Sequence, residues 1–118
     1  MNRGEIWLIN LDPAIGKEIR KTRPAVIVND DAIGILPLRV IVPIARWKDS
    51  YSIAPWMVKL VPNSENNLEK ISSADCFQVR SVSKERFVKK IGALSVDIMK
   101  KITNSLAIVL AIEYWAKI

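Results

Sequence analysis

Up to residue 94 the chain is a succession of short, β-branched apolar runs, each cut off by Pro, Asn, Asp or Ser, and only after Ser95 does the apolar spacing turn helical. Runs this brief, bounded by turn residues, predict strands rather than helices. The first, "GEIWLINL", alternates over part of its length, with Ile6, Leu8 and Asn10 on one face and Glu5, Trp7 and Ile9 on the other. Asp12-Pro13 ends it. "AVIVND" is the second, closed by Asn29, Asp30 and Asp31. "RVIVPIA" is the third, and Pro43 predicts an edge or a bulge near its end. "PWMVKLVP" is the fourth. "SADCFQVRSV" is the fifth, opened by the turn-like "NSENN" and "EKISS". "FVKKIGAL" adds a short sixth after a helical turn beginning at Ser83. Ser95 then caps a helix with Asp97 in its first turn, where an acid suits the helix dipole. Ile98, Ile102, Leu106, Val109 and Ile112 recur on one side of that helix, with Lys100, Lys101 and Asn104 on the other. The expected fold is one domain over residues 1–118, mainly β with an appended α-helix: a small, curled, mostly antiparallel sheet or barrel of five to six short strands and a C-terminal amphipathic helix.

What is missing narrows the chemistry. None of the 118 residues is histidine, which excludes imidazole acid–base catalysis, Ser–His–Asp triads and imidazole-ligated zinc. The single cysteine, Cys76, rules out an internal disulfide and a cysteine-rich metal site, and within "ADCFQV" it reads as a packed core residue. Any hydrolysis has to run on carboxylates, Lys, Arg or hydroxyls. Eighteen Lys and Arg against twelve Asp and Glu leave a charge of +6, which favours a polyanionic partner such as RNA, DNA or an acidic protein segment. "MNRGEIW" has no apolar signal core, and "SLAIVLAIEYWAKI" is too short to span a bilayer and carries Glu113. A cytoplasmic protein without membrane attachment is expected.

Between the first two strands lies a polar loop with one acid, Glu18, and the cations Lys17, Arg20, Lys21 and Arg23. Pro24 pushes the backbone of Arg23 toward the extended region, so this arginine stands at the mouth of the second strand with little freedom. An arginine aimed in this way suits a phosphodiester, because its planar fork matches two phosphate oxygens. Glu18, with Gly16 as a bend, could fold back beside it and serve as general base for a ribose 2′-hydroxyl. A surface ion pair that merely holds the loop is the commoner arrangement and describes the same residues.

"RGEIWLINLDP" followed by "IGKEIRKTRPAVIVND" resembles the N-terminal signature of the PemK/MazF (Kid-like) toxins of type II toxin–antitoxin systems. The likeness continues through "VIVPIA", "FQVRSVS" and the terminal helix, and is loose between about Asp49 and Ser72. It implies a CcdB/PemK/MazF-like, SH3-like barrel assembled as a symmetric homodimer. The implied activity is endoribonuclease cleavage of single-stranded mRNA that needs no metal or other cofactor. It also implies a cognate antitoxin, expected to be acidic, and contact with operator DNA only through the antitoxin complex. Position by position, Arg23 falls on the catalytic arginine and Glu18 on the acid of the G-x-E loop. Gln78 falls on a glutamine expected to contact a nucleotide, and Arg80 on a basic residue expected to hold phosphate.

The pattern also departs from the family. Ala45 and Arg46 stand where a catalytic Thr and a Ser or Thr are frequent, and Lys17 where some members have His. The Arg-x-Asp-Gln run of Kid-like members reads Asp75-Cys76-Phe77-Gln78, so Phe77 replaces the acid. Arg46 is a candidate RNA contact in a rebuilt site, and so is Asp75, which is expected on the same strand face as Phe77. The alternative is a weakened or inactive member, or a gyrase-poison-like toxin that acts by binding alone. A proline-peptide adaptor on the same barrel would need an acidic aromatic groove that this basic chain does not offer. Trp47, with Tyr51 and Trp56 near the basic "ARWKDSYS" stretch, reads equally as a base-stacking platform or as part of an antitoxin groove. Trp7 and Trp115 read as core or dimer-interface residues.

Overall fold

A computed structural model describes residues 1–113. The strands are β1 (Glu5–Asn10), β2 (Thr22–Ile27), β3 (Leu38–Arg46), β4 (Met57–Leu60), β5 (Ser72–Asp75), β6 (Arg80–Ser83) and β7 (Phe87–Ala93), followed by the helix α1 (Val96–Val109). All pairings are antiparallel, in the order β4-β5-β3-β2-β1-β7, with β6 also on β3. The mainly β, helix-appended architecture expected from the sequence is the one observed.

β3 holds this sheet together. It pairs with β2 through Ile41–Pro43, with β6 through Leu38–Ile41 and with β5 through Ile44–Arg46. Pro43, expected at an edge or bulge, lies inside a central strand. It sits at the step where β3 leaves β6 and takes up β5, so its missing N–H falls where the ladder on that side is interrupted. The fifth expected strand is two strands, which raises the count from five or six to seven. The Asp75 carboxylate accepts the Phe77 N–H at 3.1 Å and caps a 3-10 turn over Cys76–Gln78, which with Val79 separates the two strands. Capping by Asp outcompeted the β propensity of the run.

Both faces of the central strands are buried, which is why "AVIV" is continuously apolar rather than alternating. Ile6, Val26, Val42, Ile44 and Ala74 pack beneath α1 with Met99 and Ile102, and Ile9, Leu11, Ala25, Ile27 and Ile41 pack on the other side with Val82. Ser95 caps α1 by accepting the Ile98 N–H at 3.3 Å. The helix ends at Val109, with Leu110 as its cap and Ala111 at φ 54°, so Ile112, expected on the apolar stripe, lies beyond it. Trp115 lies outside the described residues. Cys76 is fully buried as expected, and burial, with the Asp75 carboxylate beside it, pushes its thiol up to about 12. Among the described residues no helix is long and apolar enough to cross a membrane.

The β4–β5 loop is built on asparagines. Asn63 Oδ1 accepts the N–H groups of Glu65 and Asn66, and buried Asn66 accepts those of Asn63 and Leu68 while donating to the Val61 carbonyl. Its underside lies against Gly92 of β7, where a Cβ would stand 2.5 Å from the Glu65 carbonyl oxygen and 2.7 Å from that of Asn66. No side chain fits without moving that backbone. Gly92→Ala is therefore expected to lower unfolding stability by about 1–3 kcal/mol, read by denaturant titration. An unchanged midpoint would show that the loop yields without cost.

Candidate active site

Arg23 enters β2 opposite Ile9 of β1, with Pro24 behind it opposite Leu8. Its Nε donates to the Arg20 carbonyl at 3.3 Å, which turns the exposed guanidinium along the strand entrance. There it lines a cleft of about 650 Å³. Pro24, Leu8 and Lys89 form a row across β2, β1 and β7 along this cleft. Ala45 and Arg46 come from β3, and Ser72, register partner of Arg46, from β5. Asn67 to Lys70 of the β4–β5 loop close the side toward β7, where Asn67 Nδ2 donates to the Ile91 carbonyl at 2.9 Å.

The lining carries five cations, Arg23, Arg46, Lys70, Lys89 and Lys90, against one carboxylate, Glu69. So lopsided a set in a concave site focuses positive potential where an anion would sit. Lys90 is partly compensated, its Nζ 3.5 Å from Glu5 Oε2. The Thr hydroxyl that Ala45 lacks has a neighbour of the same chemistry in Ser72, the hydroxyl residue of this lining. It is largely buried and donates to the Lys70 carbonyl at 2.8 Å. Among the described residues no three His, Cys, Asp or Glu side chains converge as metal ligands.

Glu18 is elsewhere. Its carboxylate accepts the Ile15 N–H at 2.8 Å, and it lines a second cleft of about 530 Å³ with Lys17, Phe77, Gln78 and Arg80. The expected Glu18–Arg23 pair is absent among the described residues, whose two ion pairs both fall on Glu5. Glu18 is spent on closing its own turn. Gln78 binds that same loop: its Oε1 accepts the Ile19 N–H at 2.6 Å, and its Nε2 lies 3.3 Å from both the Lys17 carbonyl and Asp75 Oδ2. The amide expected to meet a nucleotide is thus engaged within the chain. Arg80 donates to the Leu11 carbonyl at 3.4 Å. Arg20 donates to the Gly16 carbonyl at 3.3 Å, and Lys21, at φ 69°, closes the loop through its backbone onto Asp12 and Leu11.

Two further expectations need correction. Asp75, read as an RNA contact, is only 8% exposed, and both its oxygens are taken by Phe77 and Gln78. Burial raises its carboxyl above the ordinary value, against the opposing pull of those hydrogen bonds. It does not share a strand face with Phe77, because the strand stops at Asp75 and Phe77 lies in the turn. Half-buried Trp47 carries Lys59 Nζ 5.2 Å from its ring centroid and Tyr51 edge-on at 5.8 Å, contacts that engage part of its indole within the chain. Trp56 instead meets the 67%-exposed Phe77 edge-on at 6.2 Å.

Sequence reasoning found Arg23 and Arg46 but passed over Glu69, Lys70, Ser72, Lys89 and Lys90. The doublet "KK" in a strand was the available signal, but alternation sends adjacent residues to opposite faces. Both lysines nevertheless line the cleft, Lys89 opposite Leu8 and Lys90 opposite Trp7, in the short regular stretch between the two register shifts of the β1–β7 ladder.

The family model for the PemK-like, MazF-like toxin of type II toxin–antitoxin systems matches residues 2–110. Endoribonuclease MazF9 of Mycobacterium tuberculosis is 31% identical over 120 residues, covering 98% of this chain and 99% of that protein. Among solved structures, MazF from Deinococcus radiodurans superposes with a TM-score of 0.79 at 20% identity, covering 95% of this chain and 97% of that one. An endoribonuclease in complex with its cognate antitoxin, from a mycobacterial species, gives 0.77 at 18% identity, covering 97% and 98%. At those identities the structures speak for the fold, and the family model with the curated relative speaks for descent. The chain belongs to the PemK-like, MazF-like toxin family of type II toxin–antitoxin systems.

Proposed function

We propose that this chain is a metal-independent endoribonuclease that cleaves single-stranded mRNA, acting in the cytoplasm as a homodimeric toxin held off by a cognate acidic antitoxin. The observation that carries the reading is the cleft at the head of β2, where a proline-aimed arginine stands among four further cations. The 2′-hydroxyl attacks the adjacent phosphorus, the phosphate gains negative charge in the transition state, and the 5′-oxygen departs, leaving a cyclic phosphate and a 5′-hydroxyl. Arg23 neutralises that growing charge from a fixed position, which is where an enzyme gains most. Arg46 and Lys89, from opposite walls, hold the flanking phosphates. The second cleft, with Ile15 and Phe77 exposed beside Lys17 and Arg80, suits an acidic antitoxin segment that carries apolar anchors. Operator DNA is reached only through that complex.

The competing reading, a toxin that binds without cutting, draws on Ala45, which offers no hydroxyl to the reaction. Incubating the protein with a long single-stranded RNA in EDTA separates the two. Discrete fragments ending in cyclic phosphate are expected, with Arg23→Ala slower by about a hundredfold or more. Intact RNA from the unmodified protein would favour the binder.

Affinity for RNA carrying 2′-deoxyribose at the cleavage position should fall with added salt. The slope of log K against log salt is expected to be roughly −3 if four or five phosphates are neutralised, and shallower by about 0.7 in Lys89→Gln. A flat response would remove the cleft as an RNA track.

A further inference from the structure

If Arg23 marks the reacting phosphate, the group that takes the 2′-hydroxyl proton has to reach the same cleft, and Glu18 does not line it. We propose that Glu69 is the general base. This assignment rests on the ribonuclease reading and names the residue that reading leaves open.

Glu69 is the carboxylate of the Arg23 cleft. The other polar groups of its lining are poor acceptors for this proton: guanidinium and ammonium groups have no free lone pair to take it, the Asn67 amide is not basic, and the Ser72 hydroxyl is occupied as a donor to the Lys70 carbonyl. The Glu69 carboxylate is exposed, and neither ion pair of the described residues engages it. A free carboxylate among five cations can accept a proton without first breaking a contact.

The loop that carries Glu69 is held on both sides. On the N-terminal side the Leu68 N–H donates to Asn66 Oδ1 at 3.0 Å, the Leu68 side chain packs on the core, and Asn67 is tied to β7 through the Ile91 carbonyl. On the C-terminal side the Ile71 carbonyl accepts the Trp47 N–H at 3.1 Å, one residue before β5 begins. Glu69 lies one or two positions from each anchor, so its backbone is fixed while its side chain can reach into the cleft. Positioning of this kind is what general-base catalysis requires.

The step balances as follows. The 2′-O–H proton passes to the Glu69 carboxylate while the bond from 2′-oxygen to phosphorus forms. The bond from phosphorus to the 5′-oxygen breaks, and the 5′-oxygen takes a proton from water that enters the open cleft. Glu69 then returns its proton to solvent.

The test compares Glu69→Gln, Glu69→Asp, Glu18→Gln and Arg23→Ala with the unmodified protein, using one fluorogenic RNA and its uncleavable 2′-deoxy counterpart. Glu69→Gln is expected to lower kcat by about a hundredfold or more and to abolish the acid limb of the pH–rate profile. Affinity for the 2′-deoxy RNA should stay within about twofold. Glu69→Asp should keep the limb at reduced rate, and Glu18→Gln should keep both rate and limb. If Arg23→Ala is inactive while Glu69→Gln retains rate and limb, the base assignment fails and the ribonuclease reading stands. If the unmodified protein cuts no RNA, or Arg23→Ala is fully active, the reading of the cleft fails and the assignment with it.

Discussion

β3 is shared by three strands, and that sharing sets the geometry of everything above it. Nine residues take β2 along their middle, β6 at their start and β5 at their end, and the change of partner occurs at Pro43, which has no N–H to offer. Because β5 and β6 are halves of one run broken by the turn at Cys76–Gln78, the sheet bends there. Arg46 and Ser72 are then paired at the edge of the cleft that Arg23 enters from β2. Asp75 makes the break by capping the turn, and its buried carboxylate also holds Gln78, which holds the β1–β2 loop. One acid that sequence reasoning assigned to RNA is thereby a structural joint between the sheet and the loop carrying the cations.

The second constraint is closure. The β4–β5 loop could hang free as a polar excursion, but its asparagine network and its contact with Gly92 fold it down onto β7. That brings Glu69 and Lys70 opposite Arg23 and makes a cleft out of a sheet edge. The same residues that stabilise the loop therefore complete the site. Sites on loops gain their accuracy from such anchoring.

Much of this was legible in the residues. Periodicity marked the strands and the helix, Ser95 marked its cap, and the Arg-Pro step marked a residue that lines the cleft. What escaped was what depends on register. Lys89 and Lys90 line one cleft although they are adjacent in β7, and Asp75 is buried where its run breaks into the turn. Glu18 and Arg23, five residues apart, were expected to meet, but short-range backbone hydrogen bonds at Ile15 and Arg20 hold them to separate clefts. Sequence proximity in a loop says little about direction when each side chain has a backbone group within reach.

The central claim is that the scissile phosphate sits in the Arg23 cleft, facing the β4–β5 loop. A crystal structure of the protein with an RNA made uncleavable by 2′-deoxyribose at the cut position tests it most directly. The account predicts a phosphate oxygen at about 2.7–2.9 Å from the Arg23 guanidinium, with the neighbouring 2′-carbon turned toward Glu69. A cleavage-site phosphate lodged instead between Lys17 and Arg80, with Arg23 free in solvent, would contradict it.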